Sequence, residues 1–259
     1  MAQHPLEPLN ADEFRQTAAT LRREGLITDS YRFAALELKE PAKAAVKAWS
    51  AGDPVPRTSF AVLWDRLTNK TYEATVDLTG DKVVSFDHIP DVTPNFTHDE
   101  FNEVDEAMRA NPDVLAALAK RGFTDMDLIL IDVWTYGKAL MPEKYRDRRL
   151  GWCDLWARET YEGNPYGHPV SGLKLLVDMN SLELLEIEEH HDYGHPEVDC
   201  EYIPSVRGTE VRTDLKPLLI TQPEGSSFTV EGTELKWQNW TMRLGFNYRE
   251  GSVIYRVKY

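Results

Sequence analysis

Cysteine is scarce in this chain: Cys153 and Cys200 are the two among 259 residues. Two thiols outside any CxxC pair do not make a disulfide framework. Long apolar runs are missing as well. No stretch approaches the roughly 18 apolar residues of a membrane helix, and "MAQHPLEPLNADEF" has no apolar signal-peptide core. Cytoplasmic residence is the expectation. Positive charge is in short supply: 29 Lys and Arg face 43 Asp and Glu, a net charge of −14. That balance disfavours nucleic acid and anionic membranes as partners. The signatures of nucleophilic and metal-assisted hydrolysis, GxSxG and HExxH, are absent, as is a phosphate-cradling glycine loop.

Histidine is present but not arranged as a metal site. The densest cluster is Glu188, Glu189, His190, His191, Asp192, His195, Glu197 and Asp199. Imidazole with carboxylate can bind zinc or copper, yet adjacent His190 and His191 point to opposite faces of an extended chain. A solvated acidic loop is the expectation. No His-x-His pair occurs anywhere in the chain.

What the chain does have is large side chains and a repeated plan. Seven Trp, eleven Tyr and nine Phe can fill a sizeable core, and the length suits about two domains. Asn10 and Glu13 suggest a capping box, with Phe14, Ala18 and Leu21 on one helical face and Gly25 as the stop. "YRFAALELK" reads as a strand, "EPAKAAVKAW" as a short helix with Pro41 in its first turn. "SFAVLWDRL", "KTYEATVDL" and "KVVSFDHI" read as further strands. The plan then recurs. Thr97 and Glu100 can cap a helix whose apolar face is Phe101, Val104 and Met108, and Asn111-Pro112-Asp113 can cap a second helix. "MDLILIDVW" reads as a central strand because it is apolar on both faces. "LGWCDLWAR", "SGLKLLVDM" and "LELLEIEEH" follow. A divergent duplication of two α+β units, residues 1–92 and 93–199, is the expectation.

Residues 200–259 differ. A Pro- and Gly-rich linker leads to "KWQNWTMRLGFNYREGSVIYRVKY", two strands joined at a Glu-Gly turn. A lone hairpin is marginal and needs more sheet.

The run "RTDLKPLLITQPEGSSFTVEGTELKWQNWTMRLGFNYREG" resembles the segment leading into the catalytic domain of the copper- and quinone-dependent primary amine oxidases. "HPLEPLNADEF", "RRLGWCDLW" and "NPYGHPVSGLKLLVDM" look like the same family in the same order. The resemblance implies two cystatin-like α+β domains followed by the first strands of a truncated β-sandwich. It implies a bacterial-type enzyme that oxidises a primary amine with dioxygen to an aldehyde, ammonia and hydrogen peroxide. Copper, held by three histidines, and topaquinone, made from a tyrosine, belong to the catalytic β-sandwich domain, which also forms the homodimer. On this reading the chain is the family's N-terminal portion, contains no catalytic residue, binds no cofactor and is inactive alone. Asn247-Tyr248-Arg249 resembles the quinone motif only superficially, since Arg249 stands where an acid is needed. The resemblance also assigns Phe101, Trp134 and Tyr166 to the mouth of the substrate channel. The alternative is a stand-alone binding or regulatory module built from the same domains.

Overall fold

The computed structural model describes residues 4–194, 201–208 and 212–259. The chain divides into two compact units, Met1–Pro94 with Lys216–Tyr259, and Asn95–Leu215.

In the first unit, α1 (Ala11–Arg23) starts at Asn10. The Asn10 side chain accepts from the Asp12 and Glu13 amides, and Glu13 returns a carboxylate to the Asn10 amide at 2.9 Å. The same carboxylate is clamped by the nearly buried Arg57 (2.7 Å), which also donates to the Glu7 and Pro8 carbonyls. The helix therefore begins where the cap and a buried cation both require it. Its buried stripe is Thr17, Thr20 and Leu21, whereas Phe14 lies exposed. The hydroxyls find partners, Thr17 on Ser59 (2.8 Å) and Thr20 on Asp81 (2.9 Å), so a polar stripe can be covered without loss.

Strands β1 (Tyr31–Leu38), β2 (Thr58–Asp65), β3 (Lys70–Asp77) and β4 (Lys82–Ile89) form an antiparallel meander in sequence order. Leu9, Leu21, Ile27, Leu63, Ala74 and Val76 belong to the core beneath α1. Between β1 and β2, α2 runs only from Lys43 to Ala48. Pro41 lies before its cap, Ala42, rather than in its first turn.

The second unit repeats the layers. α3 (His98–Arg109) and α4 (Pro112–Ala119) precede a sheet ordered β5 (Ile129–Thr135), β6 (Leu150–Ala157), β7 (His168–Asp178), β8 (Leu184–Glu189). α3 is tied to β5: the Asp105 carboxylate accepts from the Ile131 amide at 3.2 Å, and the Arg109 guanidinium donates to the Met126 and Ile129 carbonyls. Val104, Met108, Leu118, Ile131, Leu155, Leu173 and Leu175 share one core. "VDL" and "VDM" open the β3–β4 and β7–β8 hairpins, as the repeat predicts. One expectation fails: β5 is an edge strand, not a central one. Its second face is apolar enough to mislead, because Leu130 and Trp134 lie there beside Asp132.

The first unit also carries a third sheet, β9 (Phe228–Glu231), β10 (Glu234–Trp237), β11 (Trp240–Asn247) and β12 (Gly251–Lys258), in the order β12-β11-β10-β9. The sequence reading found β11 and β12; β9 and β10, turning at Gly232 with φ +58°, extend the hairpin to four strands. The α+β expectation holds, with small helices and antiparallel sheets throughout. No helix among the described residues is long and apolar enough to cross a membrane.

Candidate functional site

The third sheet is two-faced. Register places Val230, Leu235 and Met242 in one row, Phe228, Trp237 and Trp240 in the next, and Leu244 beside Ile254. With Phe246, these residues fall on a single face by strand alternation. Most remain open to solvent, Phe246 at 70% and Ile254 at 58%. The other face is polar and attached. Tyr255 donates to Glu40 at 2.6 Å, Arg243 to Thr233 at 2.9 Å, and Arg256 to the Val46 carbonyl. Arg256 also meets His4 at 3.2 Å. A contiguous apolar sheet face open to solvent marks an interaction surface.

Asn247 explains the pseudo-motif around Tyr248. Its side chain accepts from the Arg249 and Glu250 amides at 3.0 and 2.7 Å, making an Asx turn between β11 and β12. Among the described residues, no group of three or more His, Cys, Asp or Glu is placed to hold a metal ion. His190 and His191 are exposed at the end of β8; His195, Glu197, Asp199 and Cys200 lie outside the described residues.

Unit two carries the three residues assigned to the channel mouth. In β5, Ile129, Ile131 and Val133 point to the core, so Leu130, Asp132 and Trp134 share the outer face. Trp134 is 56% exposed. Tyr166 sits in the turn Asn164-Pro165-Tyr166-Gly167, closed by the Gly167 amide on the Asn164 carbonyl at 3.0 Å. The Asn164 side chain accepts from the Tyr166 amide (3.0 Å), and Glu201 accepts from the Asn164 amide (2.6 Å). Pro at the second position suits such a turn. The Tyr166 ring stands edge-on to Trp156, centroids 5.4 Å apart, and is 47% exposed.

Trp134 and Tyr166 are joined through Asp132, to which both side chains hydrogen-bond. Burial raises the Asp132 pKa, and these two bonds partly offset it. Burial and the Asp132 charge in turn raise that of Tyr166. Phe101 is separate. It sits on α3, on the helix side of the sheet, 41% exposed and with its ring against Phe96 at 6.2 Å. The buried positions of α3 are Glu100, Val104 and Met108, so Phe101 leaves the core face it shares by spacing. The sequence reading missed Asp132. The signal was available: it is the lone charge within an apolar strand, two residues before Trp134 and so on the same face.

Next to this pair the outer face is neutralised internally. Lys174 pairs with Asp154 and stands over the Trp152 ring at 4.6 Å. Burial lowers its pKa, and Glu188 opposes the shift. A cavity of about 570 Å³ in the first unit, lined in part by Glu37, Phe60, Phe246 and Arg249, is similarly self-satisfied, with Arg249 on Glu250 and Tyr255 on Glu40.

Two helix-on-meander domains in tandem, followed by a sheet with one apolar face, set the class. Residues 10–86 match the AGAO-like N2 domain, and residues 99–201 match the copper amine oxidase N3 domain. The chain belongs to the copper amine oxidases, as their N2 and N3 domains. It is 38% identical to the primary amine oxidase of Arthrobacter sp. (strain P1), over 99% of this chain and 39% of that protein. It is 33% identical to the histamine oxidase of Arthrobacter globiformis, over 99% and 37%. The chain thus spans about two fifths of the length of the curated relatives it matches. A copper-containing benzylamine oxidase from Hansenula polymorpha shares the fold, with a TM-score of 0.80 at 20% identity over 99% of this chain and 42% of that one.

Proposed function

We propose that this chain supplies the N2–N3 portion of a primary amine oxidase, with domains at residues 1–92 and 93–199 and the entry to a catalytic domain at 200–259. The whole protein would convert a primary amine and dioxygen to an aldehyde, ammonia and hydrogen peroxide, as a cytoplasmic homodimer. Copper and topaquinone would supply the redox chemistry from the part of the relatives that lies past this match. The observation that carries the reading is the apolar face of the third sheet. In the relatives' order it stands where a further domain follows, and a second sheet is what such a face accepts. The part assigned to this chain is to shape the approach of the amine through Trp134 and Tyr166, while Phe101 stands apart on α3. Aromatic walls suit the hydrocarbon part of an amine and attract its ammonium.

The test is a peroxide assay with a primary amine. Activity is expected from a longer protein containing these residues and a following catalytic domain, and none from residues 1–259 alone. Turnover by the 259-residue chain, or none by the longer copper-loaded protein with any primary amine, would overturn the proposal.

A further inference from the structure

Charges on the outer face of the β5–β8 sheet are handled unequally. Asp154 lies directly across from Asp132 in the register and has Lys174 as its counter-ion. Asp132 has no cationic partner among the described residues; its hydrogen bonds come from two neutral donors, Trp134 and Tyr166. A carboxylate offers about four acceptor positions, so two donors leave room for more. The half-exposed Trp134 and Tyr166 rings flank it, and Trp156 backs Tyr166. A carboxylate without a cation, set between aromatic rings that face solvent, is complementary to an organic ammonium ion.

We propose that Asp132, with Trp134 and Tyr166, is a recognition site for an ammonium group. This deepens the reading of the same face as an amine approach and rests on it. A primary ammonium awaiting oxidation must travel on to the redox centre, so a cation held at this face is the far end of the same substrate. Asp132 therefore selects diamines over monoamines of equal length. Burial disfavours the Asp132 charge, and the isosteric amide removes that penalty.

The test uses the 259-residue chain and two probes, 1,4-diaminobutane and 1-aminobutane, with the Trp134 indole N–H followed by NMR. Saturable shifts in the millimolar range are expected for both amines. Asp132→Asn is expected to weaken binding at least tenfold while melting no lower than the parent. Glu231→Gln, on β9, removes the same charge elsewhere and is expected to leave binding unchanged. Equal loss in both variants would mean diffuse attraction to an acidic protein and would overturn the site, as would no saturable shift in the parent. In a longer, active protein, Asp132→Asn is expected to lower kcat/KM for the diamine about tenfold more than for the monoamine. Parallel loss would sink Asp132 selectivity and leave the amine-oxidase reading standing, whereas absence of turnover would sink that reading first.

Discussion

Two four-stranded antiparallel sheets in this protein have opposite fates. The β5–β8 sheet buries its apolar face under α3 and α4, in a core that includes Val104, Leu118, Ile131 and Leu173. The β9–β12 sheet has an apolar face just as continuous, yet Phe246, Ile254 and Val257 stand open. Strand count and pairing are the same, so hydrogen bonding does not separate them. The covering layer does. A sheet with its own helices is a finished domain, whereas a sheet with one bare apolar face still lacks a covering layer.

Breaking the covered sheet should have the largest effect. Arg149 and Glu100 are both buried and paired, with Arg149 also donating to the Asn95 carbonyl at 3.1 Å. Arg149→Met would leave a buried carboxylate without its cation and is expected to cost about 3–5 kcal/mol in urea unfolding. Adding Glu100→Gln is expected to recover much of that loss. Leu173→Ala, in the same core, should cost roughly 2–5 kcal/mol through the cavity it leaves. Removing the α1 cap with Asn10→Ala should cost about 1 kcal/mol.

The attached side of the third sheet offers a pH test. The His4 pKa is lowered to about 4, first by burial and then by Arg243 and Arg256; Glu7 and Glu234 oppose this. A His depressed in the folded state loses to the unfolded chain as pH falls. Its contribution is full above about 6.5 and is lost between there and about 4. Thermal melting should drop through that window, and His4→Gln should flatten the drop. The smallest effect belongs to the bare face. Ile254→Thr is expected to change stability by no more than about 0.5 kcal/mol, while reducing binding of a hydrophobic dye. A loss of several kcal/mol there would mean that the face is covered after all.

Much of this was legible in the sequence because it is local. The Asn10 cap, Gly25 and the "VDL" and "VDM" hairpins depend on residues within a few positions of one another. The misreadings came from tertiary context. The spacing put Phe14, Ala18 and Leu21 on the buried face of α1, whereas Thr17 and Thr20 are buried beside Leu21 because Ser59 and Asp81, far along the chain, satisfy them. β5 read as central because its outer face carries Leu130 and Trp134, which periodicity counts as core. Phe101 shares a helical spacing with Val104 and Met108 yet turns outward. Asp132 gains its meaning only when Tyr166, thirty-four positions on, folds back to it, and no local pattern encodes that.

The central claim is that the apolar face of β9–β12 receives the sheet of a following domain. Hydroxyl-radical footprinting of Phe246, Trp237 and Phe228 tests it directly. It would compare the 259-residue chain with the same residues joined to an amine oxidase catalytic domain. Oxidation of these side chains in the first and strong protection in the second is the expected result. Equal oxidation in both, from a longer protein shown to be folded, would contradict the account.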